Sequence, residues 1–197
     1  MPARLIFIIV IAFSIGGLAA VALRNHPQTN VLQTGKALIG GPFSLTDQHG
    51  KRVTDKDFRG KYMLVDFGYT YCPDVCPTEL QMITDAMGKL GAKAEDVVPI
   101  FITIDPQRDT VKQMADFISN FYPHMEGLTG TPEEIKEAAQ AYRVYYAKAD
   151  NSSGDDYLMD HSTFIYLMDP KGEYVTHFTY GITADQLAER VSKAIAG

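Results

Sequence analysis

The chain has 197 residues, of which 46% are apolar and 21% are charged. This composition is typical of a globular protein with one domain of ordinary size and room for an appendage. A formal net charge of −6 argues against a nucleic-acid-binding protein, because phosphates attract a basic surface.

An uncharged, apolar segment runs from residue 5 to residue 23. A helix of this length nearly spans the ~30 Å hydrocarbon core of a membrane, and Arg4 supplies a short basic flank on its N-terminal side. The alternative is a cleaved signal peptide, because residues 20–22 resemble a cleavage site. We favour a membrane anchor over residues 1–24, since the apolar run exceeds the roughly 7–15 residues usual in a signal peptide. Either interpretation predicts that the rest of the chain is exported.

Residues 25–37 are polar and predict a linker, which leaves residues 38–197 as the folded domain. Within the domain, segments with strand patterns alternate with segments of helical periodicity. The predicted elements are a hairpin over 43–54 with its turn at His49–Gly50, a strand over 62–69, a helix over 78–91, a strand over 97–104, helices over 110–122 and 131–142, a second hairpin over 162–180 and a closing helix over 183–196.

This order of elements predicts an α/β fold. Alternation through the middle of the domain indicates a parallel core with helices on its faces. The closing hairpin and helix favour a thioredoxin-like fold with an added N-terminal β-hairpin. In such a fold a dithiol follows the first central strand and lies at the start of the next helix.

Cys72 and Cys76 are the only cysteines in the chain, and three residues separate them. A structural disulfide is the ordinary expectation for an exported protein, but so short a loop would remove little entropy from the unfolded chain. We therefore expect a chemical role. We place Pro77 at the first position of the helix and Cys76 at its N-cap, where the helix dipole favours thiolates. The spacing permits a disulfide and also lets two thiolates bind one metal ion.

His161 is a candidate third ligand. It precedes the predicted strand 162–169, in the segment that faces the dithiol in thioredoxin-like folds and usually carries a cis-proline there. The absence of a proline argues against a general oxidoreductase. Two thiolates and one imidazole suit copper, whereas structural zinc usually has four ligands.

Three segments together resemble the Sco/SenC family of membrane-anchored copper proteins, which act in the assembly of cytochrome c oxidase. The resemblance implies that Cys72, Cys76 and His161 bind one copper ion, as Cu(I) or Cu(II). It also implies that the protein delivers copper to, or reduces the thiols of, the binuclear copper site in the second subunit of the oxidase. The three segments are DFRGKYMLVDFGYTYCPDVCPTEL, FITIDPQRDT and DHSTFIYLMDPKG.

The resemblance also implies a location and partners. We expect a single-pass protein of the bacterial inner membrane with its soluble domain in the periplasm. Besides the oxidase subunit, other copper chaperones or thioredoxin-like reductants are candidate partners.

Three aspartates are candidates for groups around the ligands. Asp109 is expected to be an ordinary helix N-cap, whereas the family resemblance suggests that Asp105, with Asp109, lies near the copper or in a docking surface. Asp160 is a candidate for orienting the neighbouring imidazole.

The leading functional prediction is a copper chaperone without turnover of its own. The alternative is a thiol–disulfide oxidoreductase that keeps the partner's copper-site cysteines reduced, with Cys72 and Cys76 as its redox pair. A thioredoxin-like peroxidase is disfavoured, because YCPDVCP holds no arginine or threonine beside its cysteines. A copper- or redox-sensing role stays open.

Overall fold

The computed structural model describes residues 38–150 and 157–197. The predicted anchor and linker, residues 1–24 and 25–37, lie outside these ranges. Within the ranges, no helix is both long enough and apolar enough to cross a membrane. The strands are β1 (Ser44–Asp47), β2 (Arg52–Thr54), β3 (Tyr62–Gly68), β4 (Val97–Thr103), β5 (Glu126–Thr129), β6 (Tyr146–Lys148), β7 (Met159–His161), β8 (Phe164–Met168) and β9 (Tyr174–Thr179). The α-helices are α1 (Val75–Leu90), α2 (Val111–Ile118), α3 (Pro132–Ala141) and α4 (Ala184–Ile195).

A seven-stranded mixed sheet organises the described domain, with the strand order β2-β1-β5-β4-β3-β8-β9. Strand β3 pairs in parallel with β4, and β4 pairs in parallel with β5. The hairpins β1–β2 and β8–β9 are antiparallel. The predicted parallel core and both predicted hairpins are therefore confirmed. Strands β6 and β7 form a separate two-stranded sheet, which the sequence did not predict.

Apolar side chains cover both faces of the large sheet, because successive residues of β3 and β4 point to opposite sides. Helices α1, α2 and α4 pack on one face, and α3 packs on the other. Cys76 belongs to the core on the α3 side, where Tyr146 and Met159 of the small sheet also pack. The small sheet therefore lies on the same face as the dithiol.

Helix α1 begins earlier than the sequence predicts. Its N-cap is Asp74 and its first residue is Val75, so the expectation that Cys76 is the N-cap and Pro77 the first helical residue is wrong. The reason is that the first turn of a helix leaves its N–H groups without intrahelical partners, and a proline fits anywhere in that turn. Cys76 therefore lies inside the first turn.

Helix α2 also differs from its prediction at the N-terminus. Its N-cap is Thr110, whose side chain accepts a hydrogen bond from the Gln113 backbone N–H. The expectation that Asp109 caps this helix is wrong, because the Asp109 carboxylate is buried and holds other partners. The predicted caps of α3 and α4 are confirmed, since Thr131 and Thr183 both form capping boxes.

Candidate metal centre

The dithiol lies in the loop between β3 and α1. The Cys72 N–H donates to the carbonyl of Tyr69 over 3.2 Å, which turns the chain back after the strand. The Cys76 N–H, one of the free donors of the first helical turn, points at the Cys72 sulfur over 3.4 Å. Both cysteines are free thiols; Cys72 is partly exposed and Cys76 is buried. The helix start therefore supplies a hydrogen-bond donor to the more accessible sulfur.

The structure brings His161 to Cys76 across 85 residues of sequence, with Nε2 3.6 Å from Sγ. The other ring nitrogen, Nδ1, lies 3.0 Å from the Ser162 carbonyl oxygen. A carbonyl only accepts, so Nδ1 carries the proton and the lone pair of Nε2 faces the sulfur. The Tyr69 ring meets the imidazole edge-on at a centroid distance of 6.1 Å. The nitrogen that faces the dithiol is therefore the one able to bind a metal.

The distance between these two donors fits a shared ion. Sulfur and nitrogen ligands about 2.3 and 2.0 Å from one zinc ion in tetrahedral geometry lie about 3.5 Å apart, close to the 3.6 Å between Cys76 Sγ and His161 Nε2. No group of three His, Cys, Asp or Glu side chains within 38–150 and 157–197 is already arranged to hold a metal.

The pKa values of the two thiols are shifted in opposite directions. The pKa of Cys72 falls to about 5, chiefly because the Cys76 thiol donates a hydrogen bond to its thiolate; backbone N–H groups and His161 add to this. The pKa of Cys76 rises far above its ordinary value, because of the same hydrogen bond and because of burial. The pair therefore favours a thiolate at Cys72 only, and Cys76 keeps its proton.

A pair of buried carboxyl groups lies near the dithiol, and sequence reasoning missed it. Burial and the charge of Glu79 raise the pKa of Asp66 in β3 well above its ordinary value. Burial and the Cys72 thiolate raise the pKa of Glu79 in α1 to about 7. Asp66 Oδ1 and Glu79 Oε2 have no hydrogen-bond partner within the described ranges. A single aspartate inside the apolar run YMLVDFGY was the available signal.

Asp109 binds the beginning of the dithiol loop through hydrogen bonds. Its carboxylate accepts hydrogen bonds from the backbone N–H of Thr70 at 3.0 Å and from the hydroxyls of Thr70 and Thr103 at 2.6 Å each. Burial outweighs these bonds and raises the pKa of Asp109. Thr70 lies two residues before Cys72, so Asp109 acts on the dithiol loop through its backbone.

Asp105 and Asp160 have different surroundings. The buried Asp105 carboxylate accepts from the Tyr157 hydroxyl at 2.7 Å and from Arg108 Nε at 2.5 Å. Asp160 is exposed in β7 beside His161, and neighbouring side chains of a strand point to opposite faces. The described contact that orients the imidazole comes from Ser162, so a role for Asp160 stays a prediction.

Comparison with known proteins gives close matches. A family model described as SCO1/SenC matches residues 31–196. "Protein SCO1 homolog 1, mitochondrial" of Arabidopsis thaliana is 48% identical over 177 residues, which cover 89% of this chain but only 51% of that relative. This chain thus spans about half the length of that relative.

Solved structures match as well. ScoI of Bradyrhizobium japonicum with copper bound is 48% identical, with a TM-score of 0.73 over 79% of this chain and 98% of that one. BsSco, described as a member of the Sco family of cytochrome c oxidase assembly proteins with a disulfide switch, is 31% identical, with a TM-score of 0.62 over 78% and 91% of the two chains. The predicted thioredoxin-like α/β fold is thereby confirmed, and the chain belongs to the SCO1/SenC family.

Proposed function

We propose that this protein is a copper chaperone that binds one copper ion through Cys72, Cys76 and His161 and passes it to the binuclear copper site of cytochrome c oxidase. The observation that carries the proposal is the 3.6 Å approach of His161 Nε2 to Cys76 Sγ at the start of α1. The copper-bound state of the B. japonicum relative supports the choice of ion.

The donor set suits a soft ion that must be released again. Thiolates select Cu(I), and imidazole also tolerates Cu(II). Cys72 is already a thiolate at neutral pH, whereas Cys76 must release its proton when it binds the ion. The partly exposed Cys72 and the exposed Tyr71 leave one side of the site open. A partner's ligand can therefore approach the copper before Cys76 and His161 release it.

The proposal extends to the location of the protein. Residues 1–24 would anchor it in the bacterial inner membrane, and residues 25–37 would link this anchor to the domain over residues 38–197 in the periplasm. The apolar segment over residues 5–23 supports this arrangement.

A Cu(I) titration of the reduced full-length protein against a chelator of known affinity tests the proposal. We expect one copper per chain, loss of tight binding when Cys72 and Cys76 are both replaced by alanine, and at least tenfold weaker binding in His161→Ala. His49→Ala, which removes an exposed histidine in a turn, is the control. Wild-type binding no tighter than that of the double cysteine variant would reject the chaperone.

A thiol–disulfide reductase is the second candidate, and the unequal acidity of the two thiols favours it. The Cys72 thiolate would attack a partner disulfide, forming a mixed disulfide and releasing one partner thiolate. Cys76 would then attack Cys72 Sγ, and its proton would go to the departing partner sulfur. The dithiol is oxidised and the partner disulfide reduced, with no other reactant. His161→Ala separates the two functions: thiol exchange with intact oxidase assembly supports the reductase, and thiol exchange with failed assembly supports the chaperone.

A further inference from the structure

We propose that Tyr157 is a positioning residue that holds the β6–β7 hairpin, and with it His161, opposite the dithiol. The inference rests on the proposed function in one respect, namely that the imidazole is a copper ligand. It concerns a residue that approaches neither sulfur by any described contact, and it gives a structural role to the segment DPQRDT.

The hairpin that carries His161 has little support of its own. Its strands contain three residues each and pair Tyr146 with His161 and Lys148 with Met159. Within the described ranges it shares no ladder of hydrogen bonds with the seven-stranded sheet. An isolated two-stranded sheet is marginally stable in water. The short connection to β8 and side-chain contacts with the rest of the domain therefore determine where His161 lies.

Tyr157, two residues before β7, makes such contacts. Its ring is buried, and its hydroxyl donates to Asp105 Oδ1 over 2.7 Å. The Arg108 guanidinium lies over the ring, with its central carbon 3.6 Å from the ring centroid, and Lys148 Nζ lies 3.8 Å from the same centroid. The ring is thus held by a hydrogen bond at its tip and by cations over its π system.

A second contact holds the hairpin close to Tyr157. The backbone N–H of Met159 donates to the Tyr69 hydroxyl over 3.2 Å, and the Tyr69 ring also meets the His161 imidazole. The side chains of Tyr146 and Met159 also pack on the core. Removing Tyr157 would therefore take away the contacts that hold the segment leading into β7, and the hairpin would keep only the contacts nearer to His161.

The partners of Tyr157 belong to a turn that also holds the dithiol loop. Residues 105–109 form this turn, in which the Asp109 N–H donates to the Asp105 carbonyl over 2.9 Å. Asp105 and Arg108 contact Tyr157 on the side of the imidazole. Asp109 holds Thr70 on the side of the sulfurs. The turn therefore links the segments that carry the two kinds of ligand, through Asp109 to one and through Tyr157 to the other.

Tyr157 is close enough to His161 along the chain to affect metal affinity. Tyr157 lies four residues before His161. The carbonyl of Leu158 accepts a hydrogen bond from the Ala149 N–H, and β7 pairs with β6 from Met159 onward, so most of this stretch is joined to β6. Groups that orient a metal ligand without touching the metal typically change its affinity by about 10–100-fold when mutated. Burial and the hydrogen bond to Asp105 raise the pKa of Tyr157 to about 12, so the hydroxyl stays a donor at neutral pH.

Two variants of the full-length protein test the inference. Tyr157→Phe removes the hydroxyl and keeps the ring beneath Arg108, whereas Tyr157→Leu removes both contacts. Tyr145→Phe is the matched control, because Tyr145 lies beside the same hairpin with an exposed side chain. Amide hydrogen exchange is measured on the metal-free, reduced protein, and Cu(I) affinity is measured separately.

We expect the amides of β6 and β7 to exchange about tenfold faster in Tyr157→Phe and faster still in Tyr157→Leu, with β3 and β4 unchanged and Tyr145→Phe like the wild type. Cu(I) affinity should fall about tenfold in Tyr157→Phe. Unchanged hairpin exchange in both Tyr157 variants would overturn the inference, as would faster exchange with wild-type copper affinity. If the wild type itself bound no copper, the proposed function would fail, while the exchange data would still decide whether Tyr157 holds the hairpin.

Discussion

At the scale of single residues, one hydrogen bond shifts the pKa values of the two cysteines in opposite directions. The Cys76 thiol donates to the Cys72 thiolate, which is the largest cause of the low pKa of Cys72. Removing this donor in Cys76→Ala should raise the pKa of Cys72 from about 5 toward the ordinary ~8.5 of a free cysteine. The ultraviolet absorbance of the thiolate, followed against pH in the metal-free protein, measures the shift.

His161→Ala is the comparison for this experiment. Of the groups that lower the pKa of Cys72, His161 contributes least, so the midpoint should move much less than in Cys76→Ala. A larger shift in His161→Ala than in Cys76→Ala would mean that the imidazole, and not the second thiol, activates Cys72.

Glu79 should make the stability of the protein depend on pH. Its pKa is about 7 in the folded chain, against an ordinary 4.5. Below pH 4.5 Glu79 is protonated in both the folded and the unfolded chain, and its ionisation does not lower the free energy of unfolding. Between pH 4.5 and 7 the unfolded state loses its proton first, so stability falls as the pH rises. In Glu79→Gln this loss is absent. The free energy of unfolding of the variant, relative to that of the wild type, should therefore rise by up to about 3 kcal/mol across that range.

Denaturant unfolding of the metal-free, reduced protein at pH 4.5 and pH 8 measures the effect. Asp85→Asn is a suitable control, because Asp85 is an exposed carboxylate on the same helix. Its stability relative to the wild type should change little between the two pH values. Equal stability of Glu79→Gln and wild type at both pH values would show that Glu79 ionises in the folded protein as it does in the unfolded chain.

The proposed ligand residues stand out in the sequence, and the residues proposed to position them do not. Two cysteines at close spacing and a histidine before a predicted strand stand out by residue type alone. The hydroxyls of Thr70 and Tyr157 do not, because their roles arise from hydrogen bonds across 39 and 52 residues. Such bonds exist only after the chain has folded, and neither residue type is unusual where it stands.

At the scale of elements, length decided what could be predicted, except in the β1–β2 hairpin, whose short strands were predicted from the turn at His49–Gly50. Strands β3 and β4 contain seven residues each and show nearly continuous burial, so their apolar runs were recognisable. Strand β5 has the sequence EGLT, and β6 and β7 contain three residues each. These segments are too short to show periodicity, and they are strands because of the partners they meet. The β6–β7 hairpin, which carries His161, was therefore missed.

The end of β3 must pass very close to the dithiol helix, and Gly68 permits this. A Cβ atom at Gly68 would lie 2.8 Å from Cys76 Sγ and 2.8 Å from Phe101 Cε2. Gly68→Ala should therefore cost about 1–3 kcal/mol of unfolding free energy and displace the Cys76 sulfur, so that copper binding weakens as well. Denaturant unfolding and the Cu(I) competition titration measure the two effects.

Gly88→Ala is the matched control for this substitution. Gly88 lies in α1, and a Cβ atom there would meet nothing within 4 Å. Alanine favours a helix over glycine by about 1 kcal/mol, so this variant should be more stable than the wild type with unchanged copper binding. If Gly68→Ala behaved in the same way, the contact between β3 and Cys76 would be looser than the structure indicates.

At the scale of the whole molecule, the proposed site lies between a well-supported part of the fold and a poorly supported one. Strand β3 lies between two neighbours in the sheet and is covered on both faces; it leads directly into the dithiol loop. His161 comes from the two-stranded sheet of β6 and β7, in which each strand has one described partner. The sulfurs are thus carried by the stable core, and the imidazole by an element that can move.

This arrangement predicts an order of local stabilities. In the metal-free, reduced protein the amides of β3 and β4 should exchange with solvent most slowly among the described strands, and those of β6 and β7 should exchange fastest, because local opening is easiest where few contacts must break. Copper at the proposed site would join His161 to the core and so slow exchange in β6 and β7 while leaving β3 and β4 unchanged. Native-state hydrogen exchange with and without Cu(I) measures both effects. A hairpin as protected as β3 before copper is added would mean that the three ligands are held rigidly from the start, and release to a partner would then require opening of the core itself.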